Sequence, residues 1–330
     1  VSFILVSKYN SVNCENRKPR PTAVGRTNNK ILTVKLLLTG SGGLIGSAVS
    51  EKLRGQGHEL LKLVRRKSTD ESELTWDPND AGDLRDPRLD GLAGVIHLAG
   101  EPIAGIWSAA KKRRIHESRV RGSALLARSL AKLEQPPARL IIASGIGFYG
   151  DTGERKVDES EPNGEGFLAG VCRDWEAASG PARDAGIRVA IARFGIVLSG
   201  GGGALTAMLP PFRFGLGGIA GSGRQYMSWI SLEDAARAVI HLLESESIRG
   251  PVNIVAPCPV TNAKFTLALG RELGRPTILP APAFLLRRLP GGMADETILS
   301  SSRVVPGVLQ GTGFEFEHPT VEEGLRNALK

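Results

Sequence analysis

Apolar and polar positions alternate along this chain in two rhythms. "VKLLLTG" (Val34 to Gly40) is a short apolar run closed by glycine, the pattern of a strand buried on both faces. Behind the glycines that follow, Ile45, Val49 and Leu53 recur at four-residue spacing and mark one helix face. "HELLKLVRR" gives a second strand ending in two arginines, and "AGVIHLAG" (Ala93 to Gly100) a third. "ARLIIASG" (Ala138 to Gly145) and "IRVAIARFG" give two more. Helices are predicted over Ala109 to Leu133, with Leu126, Leu130 and Leu133 on one side, and within "GEGFLAGVCRDWEAA" (Gly164 to Ala178). Strands separated by helices require crossover connections, so the fold class is α/β, a Rossmann-type doubly wound parallel sheet.

From Ser199 the rhythm changes. "SGGGGALTAMLPPFRFGLGG" is rich in glycine and proline and reads as a loop with a short helix. "EDAARAVIHLLES" (Glu233 to Ser245) is an amphipathic helix, "PVNIVA" a strand, and "TNAKFTLALGRELGRP" a helix with Thr261 as its N-cap. Residues 34–198 therefore read as mainly a nucleotide-binding domain. Residues 199–330 read as mainly a smaller C-terminal substrate lobe, with segments returning to the sheet. Residues 1–33 are polar, basic and without periodicity. They read as a disordered tail or as a misplaced start ahead of "VKLLLTG"; a transit peptide for organellar import would share their composition.

The chemistry begins at "TGSGGLIG". Gly40, Gly43 and Gly46 form a G-x-x-G-x-x-G pattern between a predicted strand and a predicted helix, with Leu44 and Ile45 opening the helix. Glycines let backbone approach a pyrophosphate, and the helix N-terminus favours its charge. An acid at the end of the second strand would select NAD; Arg65 and Arg66 stand there instead, followed by Lys67. Arginine matches a 2′-phosphate, so the expected cofactor is NADP(H).

Composition narrows the partners. The 330 residues carry a net charge of +8 and 41% hydrophobic residues. No apolar run approaches the roughly 20 residues that span a bilayer, so no membrane contact is expected. The basic run "KKRR" (Lys111 to Arg114) reads as a solvated helix face, and no nucleic-acid motif accompanies it. Cys14, Cys172 and Cys258 form no metal-ligand pattern, and their scatter suggests a reducing, cytoplasmic setting.

Several longer stretches, "LLLTGSGGLIGSAV", "GVIHLAGEPIAG", "KKRRIHESRVRGSALLARSL", "ASGIGFYGDTG", "GSGRQYMSWISLEDAARAV" and "LSSSRVVPGVLQGTGFEFEHPTVEEGL", carry a resemblance. From Val34 to Leu329 the chain resembles an extended short-chain dehydrogenase/reductase. Within that superfamily it is similar to the epimerase-like subgroup of YfcH-type and SDR39U-type proteins, with a C-terminal segment of DUF1731 type.

The resemblance implies that Leu98, Ala99, Gly100 and Glu101 line the nicotinamide-side ribose and diphosphate, and that Asp83 and Leu84 in "GDLRD" approach the adenine. It also exposes a departure. Active members of the superfamily use a tyrosine and, four residues later, a lysine that lowers its pKa. Anchoring on Glu176 puts Leu168 and Cys172 at those two places. A gapless match puts Gly145 where the catalytic hydroxyl belongs, so Ser144 and Tyr149 are the candidates left for proton transfer.

Other readings stay open. His97 reads as a core or strand-end histidine and Cys172 as a packing residue. Arg193 faces the substrate or forms an ion pair at the sheet edge, and Gly200 to Gly203 admit a substrate phosphate or form a ligand-free loop. The expected function is an NADP(H)-dependent oxidoreductase or epimerase-like enzyme on a small carbonyl or sugar-like substrate. The alternative is a non-catalytic NADP(H) sensor or assembly factor. Relatives of this architecture often form homodimers.

Overall fold

The computed structural model describes residues 33–79, 82–288 and 290–330; the expectations for residues 1–32 lie outside them. The first half runs β1 (Lys35–Thr39), α1 (Leu44–Gly55), β2 (Glu59–Val64), β3 (Glu73–Thr75), β4 (Gly94–His97), α2 (Ala109–Ala131), β5 (Arg139–Gly145), α3 (Phe167–Ala177), α4 (Gly180–Asp184) and β6 (Arg188–Phe194). The second half runs β7 (Ile196–Leu198), α5 (Gly203–Arg213), β8 (Tyr226–Met227), β9 (Trp229–Ser231), α6 (Leu232–Glu244), β10 (Gly250–Ile254), β11 (Val260–Thr261), α7 (Asn262–Leu273), α8 (Ala283–Leu286), α9 (Gly307–Gly311) and α10 (Val321–Ala328).

Seven strands form one sheet in the order β10-β6-β5-β4-β1-β2-β3, and every neighbouring pair is parallel. Strand direction and side-chain alternation explain the layers. Leu36 and Leu38 join Ile96, Ile141, Ala190, Val252 and Ile254 on the face covered by α1 and α6. Leu37 points the other way, into a cluster with Val95, Leu140, Ile142, Ile191, Leu126 and Trp175, under α2, α3 and α4. Burial on both faces is why these strands read as unbroken apolar runs.

The strand order reverses direction between β1 and β4, which makes the crevice at their carboxyl ends the topological switch point. The C-terminal half contributes to the same sheet: β10 pairs with β6, and α6 packs beneath it. A third cluster, built on Trp229, Phe265, Leu205 and Leu325, holds α5, α7 and α10 together. Thr261 caps α7 as expected, accepting from the Lys264 amide at 3.3 Å. The three-residue edge strand β3 had no legible pattern, because three residues are too few to show alternation.

Candidate functional site

The glycine turn is shaped by backbone crowding. Gly40 has φ +71, and a Cβ there would lie 2.8 Å from the Ala99 nitrogen on the β4 exit. A Cβ on Gly46 would lie 2.1 Å from the Gly40 carbonyl oxygen. That carbonyl accepts from the Gly43 amide at 2.9 Å. Gly43 is the N-cap of α1, and no side chain caps the helix. Leu44 and Ile45, both half-buried, begin its first turn, which carries no acid. The free amides there form a positive end at the switch point. Gly202 and Gly203 lie against Leu44, so the later glycine run neighbours this loop.

Beyond β2 the two arginines separate. Arg66 pairs with the buried Glu73 at 2.7 Å, and Glu73 also accepts from the Ser68 hydroxyl. Arg65 is exposed and makes no ion pair or hydrogen bond among the described residues. A cavity of about 640 Å³, lined by Arg66, Lys67, Ser68, Thr69, Glu73 and Thr75, opens beside this turn.

The β4 exit is fixed by α2. Leu98 and Ala99 donate to the Thr39 carbonyl and hydroxyl, each at 3.3 Å. Gly100 is exposed. Glu101 has its amide on Ser118 and its carbonyl on Arg119. Its carboxyl pairs with Lys111 at 2.7 Å, which holds it below the usual carboxylate range. Lys112 lies over the Trp107 and Phe167 rings, so only Arg113 and Arg114 of the basic run form an exposed helix face. His97 is a core histidine, 2% exposed, with Nδ1 2.7 Å from the Thr39 hydroxyl; burial lowers its pKa to about 4.

Asp83 and Leu84 are not at this crevice. The Leu84 amide donates to Ser129 and Asp83 pairs with Lys132, both around the C-terminal end of α2. α2 runs back from the β4 exit, so its last turn marks the opposite edge of the sheet. The pair expected to approach adenine thus lies on the stretch by which the chain returns from β3 to the start of β4. The acid beside the carboxyl end of β3 is Asp77, two residues past Thr75, whose carboxylate accepts from the Asn79 amide at 2.9 Å.

Gly145, Leu168 and Cys172 come together. A Cβ on Gly145 would lie 3.8 Å from the Cys172 sulfur, and one on Gly147 would lie 3.2 Å from Leu168 Cβ. The three places that the resemblance assigns to hydroxyl, tyrosine and lysine therefore lie close together. In this chain they bear a hydrogen, an isobutyl group and a thiol. Burial pushes that thiol up to about 11, so it stays protonated at neutral pH.

Ser144 and Tyr149 belong to a buried polar chain. Ser144, Arg193 and Asn253 are register partners on β5, β6 and β10. The Ser144 hydroxyl donates to Glu176 on α3 at 2.8 Å. Arg193 grips both oxygens of Glu176 and donates to the Tyr149 hydroxyl at 2.9 Å. Tyr149 donates in turn to Asn253 at 2.7 Å. Burial pushes the Tyr149 phenol up to about 12. The ion-pair reading of Arg193 is the one realised. Glu296, far along the chain, accepts from the amides of Phe167 and Leu168 at 3.0 and 2.8 Å and so caps α3.

Known proteins share this fold and much of this sequence. The model of the NAD dependent epimerase/dehydratase family matches residues 36–255, and that of a domain of unknown function, DUF1731, matches residues 281–328. The chain is 45% identical over 289 residues to the Mycobacterium bovis epimerase family protein Mb2239, covering 87% of this chain and 95% of that one. It is 34% identical over 300 residues to human epimerase family protein SDR39U1, covering 90% of this chain and all of that one. The crystal structure of human SDR39U1 (isoform 2) with NADPH superposes with a TM-score of 0.82 at 32% identity, covering 89% and 98% of the two chains. UDP-N-acetylglucosamine 4-epimerase from Bacillus cereus, at 19% identity and a TM-score of 0.69, shares the fold, covering 90% and 98% of the two chains. With a doubly wound sheet, a glycine turn at its switch point and matches across nearly all of its described length, the chain belongs to the NAD-dependent epimerase/dehydratase family, in its SDR39U-type branch.

Proposed function

We propose that the protein binds NADP(H) and acts as an oxidoreductase or epimerase-like enzyme on a small carbonyl or sugar-like substrate. The observation that carries this reading is the close-packed Gly40–Gly46 turn, open to backbone approach and set at the N-terminus of α1. Arg65, without a partner among the described residues, is the natural receiver of a 2′-phosphate. Arg66 has a weaker claim because Glu73 already engages it. The NADPH in the human relative's structure supports the same choice. Leu98, Ala99 and Gly100 then wall the nicotinamide side, and Asp77 takes the adenine-side place first assigned to Asp83 and Leu84.

When bound, the nicotinamide would supply or accept hydride. The chain's own residues orient the cofactor and exclude water around the Gly145, Leu168 and Cys172 cluster. None of those three groups transfers a proton at neutral pH, so the proton comes from water or from the substrate's surroundings. Ser144 and Tyr149 act as positioning residues, because both hydroxyls are committed to the Glu176, Arg193 and Asn253 chain.

That apolar cluster also favours a second reading, a non-catalytic NADP(H) sensor or assembly factor. Incubation with NADPH and NADP⁺ across a panel of carbonyl compounds and sugar nucleotides, followed by product analysis, separates the two. Turnover of any member supports the enzyme. Stoichiometric NADPH binding with no product across the panel supports the sensor.

A further inference from the structure

The N-terminal turn of α3 belongs to an apolar wall built from three separate stretches of chain. Trp107, on the loop before α2, is 2% exposed and meets the Phe167 ring edge-on, with ring centres 5.2 Å apart. Phe167, Leu168 and Met293 are half-buried and pack against Trp107, Ile115 and Val171. Leu168 also faces Gly147, just past β5, where a Cβ would lie 3.2 Å from its own. The wall therefore includes the place that the resemblance assigns to the tyrosine.

Polar groups along this wall are spent inside the protein. Trp107 Nε1 donates to the Ile103 carbonyl at 2.7 Å, and the Thr297 hydroxyl donates to the Met293 carbonyl at 2.6 Å. Glu296 is taken by the first two amides of α3. Lys112 is the exception. Its ammonium lies 5.6 Å from the centre of the Trp107 ring and 5.1 Å from that of Phe167, and it makes no ion pair or hydrogen bond among the described residues. Lys111 and Arg114, its neighbours in the basic run, both reach Glu101 instead. The rings hold the half-buried Lys112 cation, and its three donors stay open. The wall thus offers apolar surface and one positive charge. A sugar ring set against Phe167, Leu168 and Met293 would bury hydroxyls without partners, a penalty that an apolar body avoids.

We propose that the substrate is an apolar carbonyl compound with an anionic end, an alkyl or aryl oxo acid rather than a sugar nucleotide. Its body lies on Phe167, Leu168 and Met293, and its carboxylate meets the Lys112 ammonium. This rests on the oxidoreductase reading above. Reduction of such a compound would consume one NADPH and one proton and leave the corresponding hydroxy acid and NADP⁺. The inference gives Leu168 a use: a residue that cannot move a proton extends the surface that holds the substrate. Lys112 binds and orients here, and specificity comes from pairing one charge with an otherwise apolar wall.

The test titrates the full chain, with NADP⁺ bound, against 2-oxo-4-phenylbutanoate, its ethyl ester and UDP-glucose. Wild type should bind the oxo acid more tightly than UDP-glucose. Lys112→Met should weaken the oxo acid about tenfold or more, the loss expected for one charge-assisted contact, and leave the ester and NADPH at wild-type affinity. Lys112→Arg should keep most of the oxo acid affinity, which separates charge from packing and keeps the test valid if the methionine variant fails to fold. Tighter binding of UDP-glucose than of the oxo acid would overturn the proposal. So would equal losses for acid and ester, or an oxo acid affinity indifferent to Lys112→Met. A wild-type chain that binds NADPH but not the oxo acid ends this inference and leaves the cofactor reading standing; one that does not bind NADPH ends both.

Discussion

Glu176 and Arg193 meet in the interior between α3 and β6 through two hydrogen bonds of 2.8 Å each, with the arginine side chain only 4% exposed. Glu176→Gln leaves that guanidinium without its counter-charge. The expected cost is about 3–5 kcal/mol, the penalty for breaking one side of a buried pair. Urea unfolding with an unchanged slope and a lowered midpoint would show it. A midpoint equal to wild type would mean that solvent compensates the charge.

Tyr149→Phe removes the phenol shared by Arg193 and Asn253. It should lower stability by about 1–3 kcal/mol, since two buried polar groups lose a partner. NADPH affinity should stay at wild-type strength. A variant that keeps its stability and affinity but loses turnover would instead make Tyr149 catalytic.

The nucleotide turn tolerates no side chain at Gly46. Gly46→Ala would set a methyl against the Gly40 carbonyl, forcing the turn open. NADPH binding should fall at least about tenfold, equivalent to about 1.4 kcal/mol. Isothermal titration of folded variant against wild type checks this. Full affinity would mean that the pyrophosphate lies elsewhere.

Selectivity between cofactors should divide unequally between adjacent arginines. Arg65→Ala is expected to weaken NADPH roughly tenfold to a hundredfold while leaving NADH unchanged. Arg66→Ala should do less, because Glu73 competes for its guanidinium. Fluorescence titration of both variants with both nucleotides decides it. Equal losses for NADPH and NADH would remove the 2′-phosphate from the account.

His97 gives the stability a pH dependence. Its folded pKa of about 4 lies below the ordinary 6.5 because burial penalises the charged ring. Between those values the unfolded chain binds more protons than the folded one, so stability falls as pH falls through that window and levels off below it. The loss from this group reaches about 3 kcal/mol. Thermal melts from pH 7 to pH 4, wild type against His97→Asn, should show a shallower slope in the variant. Parallel slopes would assign the effect to other groups.

Much of this was legible in the chain, and the reasons differ by residue. The parallel strands announce themselves because burial on both faces leaves unbroken apolar runs, as at Leu36, Leu37 and Leu38. Gly40 and Gly46 are legible because a turn this tight leaves no room for a Cβ at either place, while Gly43 between them would bring one within 3.3 Å of the Gly40 carbonyl. Asp83 pairs with Lys132 at the end of α2, a placement its motif does not record, because a motif says nothing about which end of the sheet a returning loop reaches. The approach of Arg119 to Gly100 has no local mark, since it exists only once α2 folds back over the β4 exit. Glu176 with Asn253 and Glu296 with Leu168 join distant segments, which spacing along a sequence does not record.

The Glu296 cap has a consequence for the order of events at the ribosome. The helix that carries Leu168 and Cys172 receives its cap from a residue 128 positions later than Leu168. β6 likewise waits for Gly250–Ile254 before its outer edge is covered. A nascent chain that has delivered the whole nucleotide half thus still shows an unpaired strand and an unfinished helix end, both adhesive. Vectorial synthesis leaves α3 uncapped until Glu296 has emerged. A chain that stops short of that residue therefore loses a contact at the centre of the molecule, not only at its periphery.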